Sequence, residues 1–175
     1  MNTAVDEGVR YHTLSRRLIA SVIDNLVLFP LLLWPYLSIV GWLSDGAVIT
    51  LNGISNLLMT AYYLIMHAKG GQTFGKRATN IRVVRADDET RIGWSTSLRR
   101  ESPWVILITL SFLSDVVWFT LSTETNPWHP YSQLSWTISA AFHTWAFADP
   151  LWTLLNRKRR SLHDYIGGTV VVRTA

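Results

Sequence analysis

The chain has 175 residues, 49% of them hydrophobic and nine of them tryptophan, and 16 basic against 12 acidic residues leave a formal net charge of +4. It has no cysteine, which excludes disulfides, thiolate chemistry and a lipid-modified N-terminal cysteine. No recognition module accompanies the excess of base, so nucleic acid is not an expected partner.

After a short polar lead (1–15), the first apolar stretch covers 18–40, and Arg17 stands at its entrance. Asp24 lies seven positions beyond Arg17, nearly two helical turns, so the two share a face about 10 Å apart along the axis. A carboxylate at the centre of a spanning helix costs roughly 2.5 to 3.5 kcal/mol, which calls for a partner or a polar cavity. Two readings follow: Asp24 fixes helix packing through hydrogen bonds, or it is part of an ion or proton site. Pro30 and Pro35 each lack a backbone donor and are expected to bend or end this helix, with Pro35 and Trp42 at its outer boundary.

The second stretch, 47–68, carries Thr50, Asn52, Ser55 and Asn56, so one of its faces should avoid lipid. His67 at its end reads as a boundary residue. The segment after it, Gly70-Gly71-Gln72-Thr73-Phe74-Gly75-Lys76-Arg77, nearly matches a phosphate-binding loop, but Arg77 stands where the magnesium-binding Ser or Thr is needed. A spanning helix, not a strand, precedes it, so nucleotide hydrolysis is excluded. Its glycines permit a tight turn, and Lys76 and Arg77 are expected to face lipid headgroups.

Residues 80–85 read as a short strand, 86–89 as a turn and 90–94 as a return strand. The valine-rich run 167–173 is also β-prone, and a hairpin alone is marginal, so the three are expected to form a small patch with Val83 and Val171 on neighbouring strands. Residues 95–101 suggest a surface helix leading to Pro103. The third and fourth stretches cover 104–121 and 134–156. They place Asp115 and His143 at similar depths, and Asp149 near the depth of Asp24. Ser161-Leu162-His163-Asp164 reads as a helix start. The histidines make no zinc motif, and no nucleophile accompanies His143 and Asp149, so neither an enzyme nor a cofactor is expected.

Each apolar stretch is about long enough for a hydrocarbon core of roughly 30 Å, and four of them in one chain leave too little amphipathic surface for a soluble core. All sixteen basic residues fall before the first stretch, in 69–103 or after the fourth; 41–46 and 122–133 hold only Asp45 and Glu124. The expected fold is an all-α transmembrane four-helix bundle with both termini cytoplasmic and a small cytoplasmic β patch. The expected location is the bacterial cytoplasmic membrane, against anionic headgroups.

In order and topology the chain resembles the RDD family of small membrane proteins, named for one arginine and two aspartates. Arg17, Ala20 and Asp24 match its opening helix. Gly71-Gln72-Thr73-Phe74-Gly75-Lys76-Arg77 and Ile81-Arg82-Val83-Val84 match the loop and the run after it, and Arg99-Arg100 and 161–172 follow in order, with His163, Asp164, Gly168 and Thr169. The second aspartate is either Asp149 or Asp164. The resemblance implies a transport-related protein, with sodium/proton exchange suggested for some members. The function expected is a membrane assembly or accessory factor, as a homo-oligomer or within a larger complex. The alternative is a small cation/proton transporter using Arg17, Asp24, Asp115, His143 and Asp149 on a monovalent cation.

Overall fold

A computed structural model describes residues 10–33, 37, 40–121 and 130–174. The expectations for Pro35, for the loop around Glu124 and for the first nine residues lie outside that set. The chain is mostly helical (73%) with one two-stranded sheet.

Helix α1 runs Leu14–Leu28 and tightens into a 3₁₀ turn over Phe29–Leu32, with Pro30 at its start. Helix α2, Asp45–Gly70, begins at Ser44, whose Oγ accepts from the Ala47 N–H at 3.3 Å. It ends at Gly71, whose φ of 65° lets its N–H turn back onto the His67 carbonyl. The short α3, Phe74–Ala78, follows, capped by Thr73.

Helix α4 runs Trp94–Leu121 and so absorbs the separate surface helix expected over 95–101. Pro103 lies inside it, four residues beyond the Arg99 carbonyl that its missing N–H would have met. The Ser102 hydroxyl donates to that carbonyl instead, at 2.8 Å, so the helix passes through the proline. Helix α5, Pro130–Leu151, loses its α geometry just past Pro150 and continues as a 3₁₀ turn over Trp152–Leu155. Helix α6, Leu162–Gly167, completes the helical set.

Strands β1 (Ile81–Arg85) and β2 (Thr169–Arg173) pair antiparallel, with Val83 opposite Val171 as expected. Alternation puts Ile81, Val83 and Val171 on one face with Ala20 and Ile92, and Val84, Val170 and Val172 on the other beside Tyr11 and Ala86. Both faces are covered, which is why β2 reads as an unbroken valine run and β1 carries adjacent apolar residues at Val83 and Val84. The expected third strand over 90–94 reduces to a single bridge, Val84 to Arg91. Ile92 turns into the core and the chain enters α4 two residues later, too soon for a ladder.

Apart from Leu28, the buried apolar residues among those described belong to or pack on this sheet, while the helices carry Leu18, Val22, Leu26, Leu57, Ile106, Leu113 and Phe147 exposed. Helices Asp45–Gly70 and Trp94–Thr120 are long and apolar enough to cross a membrane, with only 11% and 6% of their most apolar windows buried. A soluble protein's core helix would be mostly buried, so lipid is the environment these surfaces suit. α2 and α4 pack where Gly53 meets the Phe112 ring, at a contact a Cβ would close to 2.8 Å.

Candidate functional site

The start of α1, the end of α2, the start of α4 and the end of α5 meet at one end of the helices, where α3, α6 and the sheet also lie. Into this junction the chain brings an unusual load of buried polar groups: Thr13, Asp24, His67, Thr73, Arg100, Glu101, Asp149, Ser161, Asp164 and Thr169. Removing so many from water is tolerable only if nearly every group finds a partner.

Asp24 finds three. Its Oδ1 accepts from the Tyr62 hydroxyl at 2.7 Å and the Gly75 N–H at 2.8 Å, and its Oδ2 from the Thr73 hydroxyl at 2.6 Å. The carboxylate of α1 thus holds the turn into α3 in place. Gly75 is required there, because a Cβ would run into the Ala20 carbonyl of α1. The Thr73 hydroxyl serves twice, donating to Asp24 while accepting from the Lys76 N–H at 3.3 Å.

Arg17 does not reach Asp24, although helical spacing puts the two on one side. Helical side chains lean toward the N-terminus, so Arg17 extends out of the start of α1, away from Asp24. It donates to Asp164 Oδ2 at 2.6 Å, to the Arg159 carbonyl at 3.1 Å and to Thr13 Oγ1 at 3.2 Å. Asp164 also receives Arg100 Nη2 at 3.1 Å, the Ser161 N–H at 3.1 Å and Thr169 Oγ1 at 3.2 Å. With Ser161 it forms a capping box at the start of α6, where a helix start was expected. Burial alone would raise the Asp164 carboxyl, but Arg17 and Arg100 outweigh it and hold the group well below the ordinary carboxylate range.

A second line of bonds crosses the junction. Asp149, at the end of α5, accepts from the His163 N–H at 2.8 Å and from His163 Nδ1 at 2.6 Å. His163 Nε2 lies 2.6 Å from Arg100 Nη2, Arg100 Nη1 donates to Glu101 Oε1 at 2.7 Å, and His67 Nδ1 lies 2.9 Å from that oxygen. Lys76 Nζ closes the line 2.7 Å from His67 Nε2. Neutral imidazoles protonated on Nδ1 satisfy every contact in it. Lys76 therefore turns inward where a headgroup contact was expected, and only Arg77 is exposed. Burial, then the nearby Arg100 guanidinium, lowers the Lys76 ammonium from 10.5 to about 7.

The two remaining sequence candidates lie elsewhere. Asp115 is exposed on α4, and no bond joins it to His143 among the described residues. His143 lies over the Ser139 carbonyl at 2.7 Å and lines a cavity of about 230 Å³ with Asn56, Ile108, Ser111, Ser139 and Phe142. Gly71 and Gly168 both take left-handed φ at helix ends, 65° and 64°. Sequence reasoning missed Tyr62, His67 and Glu101 as members of the junction. The signal available was the acidic Glu101 directly beside Arg100 just before an apolar helix. Among the described residues no cluster of three or more His, Asp and Glu side chains could hold a metal ion.

The RDD family model matches residues 11–168. No curated protein and no solved structure matches the chain.

Proposed function

The chain belongs to the RDD family, and from that premise we propose that it is a non-catalytic assembly or accessory factor of the bacterial cytoplasmic membrane. The observation that carries this reading is the full engagement of Asp24, Asp149 and Asp164 by protein groups. Their hydrogen bonds join α1 to the α2–α3 turn, α5 to α6, and α6 to α1 and α4. Carboxylates so occupied act as cross-links. The large apolar surfaces on the helices are then free for lipid and for neighbouring subunits, either copies of this chain or other membrane proteins.

In this reading the chain crosses the membrane four times as a bundle, with both termini and the sheet in the cytoplasm. Single cysteines near Asp45 and Glu124 should react with an impermeant reagent from outside, and those near Asp88 and Arg173 should not; the reverse pattern sinks the topology. For the function, the protein is purified in native lipid and the mass of what copurifies is measured. A stable complex larger than one chain supports assembly; a lone chain counts against it.

One observation favours cation/proton transport as a second reading. The cavity holding Asn56, Ser111, Ser139 and His143 lies between α2, α4 and α5 and is polar on several sides. Four helices are few for alternating access, so the pathway would need an oligomer. Sodium- or potassium-driven proton flux in liposomes, lost in His143→Ala at equal assembly, would support it.

A further inference from the structure

The end of β1, the first turns of α4 and the α6–β2 junction enclose an open concavity of about 460 Å³. Its lining includes Arg85, Thr96, Arg99, Arg160 and Asp87. The three guanidiniums differ in what already occupies them. Arg85 is held by Asp87, at 2.8 and 3.1 Å, which also accounts for the single carboxylate on the wall. Arg160 donates to the Thr169 and Asp164 carbonyls at 2.8 and 3.1 Å and lies over the Tyr165 ring at 4.1 Å, so it is rigidly placed. The Arg99 guanidinium has no hydrogen bond or ion pair among the described residues, and the residue is exposed.

Thr96 and Arg99, three residues apart, share one face of α4. Thr96 is 6% exposed, and its hydroxyl donates to nothing among the described residues. Ser97 is the first residue of α4 whose N–H reaches a carbonyl four positions back, that of Gly93. The amides of the preceding turn have no partner among the described residues, at the positive end of a 28-residue helix. A fixed arginine, a free arginine, an unused hydroxyl and a helix start converge on one concavity, and together they suit an oxyanion with several acceptor oxygens.

We propose that this concavity binds a phosphate group, with Arg99 and Thr96 as its direct ligands and Arg160 as the rigid positive wall. Inosculating sources are two: the headgroup of an anionic phospholipid and a soluble phosphate. Exposed Tyr165 and Ile166, beside Gly167 at the rim, favour the lipid, because they give acyl chains an apolar approach. The site does not depend on whether the protein assembles or transports; only its lipid source depends on the membrane reading.

The test uses the full chain. In the lipid arm, protein is released from nanodiscs of phosphatidylcholine with a minority of phosphatidylglycerol, and retained lipid is weighed by native mass spectrometry. In the soluble arm, inorganic phosphate is titrated into detergent-solubilised protein and followed by phosphorus NMR. Wild type should retain phosphatidylglycerol, and Arg99→Gln and Thr96→Val should each weaken retention on the order of tenfold. Arg91→Gln, an exposed arginine outside the concavity, should leave it unchanged. Binding in the soluble arm alone, with the same dependence on Arg99, supports the site and assigns it to a soluble phosphate. No binding by wild type in either arm overturns the proposal. So does binding that Arg99→Gln leaves intact, or that Arg91→Gln weakens equally.

Discussion

Asp24 accepts three hydrogen bonds and pairs with no cation among the described residues, which sets what its replacement should cost. Asn keeps an oxygen for Tyr62 and the Gly75 N–H, and its amide faces a hydroxyl that can accept. Asp24→Asn should therefore lose about 1 kcal/mol, whereas Asp24→Leu leaves buried donors unmet and should lose roughly 2 to 5 kcal/mol. Thermal unfolding in detergent reads both, and equal losses would contradict the cross-link. Lys76 offers a second test. Below about pH 7 its amine is protonated in both folded and unfolded chains; between about 7 and 10.5 the unfolded chain binds the extra proton. Stability should therefore rise with pH through that window. His67 of α2, Arg100 and Glu101 of α4, and Arg17 and Asp24 of α1 are the charged or titratable groups around it. Lys76→Met should flatten the rise, as followed by the unfolding midpoint; an unchanged slope would assign it to another group. That Arg17 and Asp24 matter was legible from their place at the start of an apolar stretch. Their partners were not, because Arg17 meets a residue 147 positions away and Asp24 one 49 positions away.

Among elements, α3 shows how one residue can fix a contact between two segments. With Gly75 against the Ala20 carbonyl, Gly75→Ala must push α3 off α1 and stretch the Asp24 bonds. Overpacking of this kind costs typically about 1 to 3 kcal/mol, here with part of a hydrogen-bond set lost in addition. Gly70→Ala is the control, since a Cβ there meets only the tip of Arg77 at 3.6 Å. A drop in unfolding midpoint for Gly75→Ala alone is the expected outcome, and equal drops would remove the α1–α3 contact as its cause. The same scale explains which elements sequence could place. The β1–β2 pairing was readable because two short β-branched runs on the same side were each too short to be stable without a partner. The missing third strand was not, because Ile92 is apolar in either geometry and only the early start of α4 decides. Pro103 looked like a boundary for the same reason: the Ser102 hydroxyl that replaces its bond is invisible until the helix exists.

At the scale of the molecule, Asp164 ties together the most elements, meeting Arg17 of α1, Arg100 of α4, Ser161 before α6 and Thr169 of β2. The Arg17 and Arg100 side chains are only 12% and 3% exposed, so removing the carboxylate leaves two guanidiniums with little access to water. Breaking a buried pair from one side costs about 3 to 5 kcal/mol, a large part of a typical net stability of roughly 5 to 15 kcal/mol. Asp164→Asn should therefore accumulate poorly as monodisperse protein, and more poorly than Asp24→Asn. Because its folded carboxyl sits below the ordinary range, the stabilisation Asp164 supplies is complete above the unfolded pKa and is lost as pH falls through the folded one. Wild type should thus weaken on acidification, and Asp164→Asn should lack that part of the loss. The decisive comparison is the cycle with Arg17→Gln. If the pair acts as one unit, the double variant should be less damaged than the sum of the two singles, since each removes the charge the other leaves stranded. Simple additivity of the unfolding shifts would mean that Arg17 and Asp164 act independently, and the junction would lose its ionic link between α1 and α6.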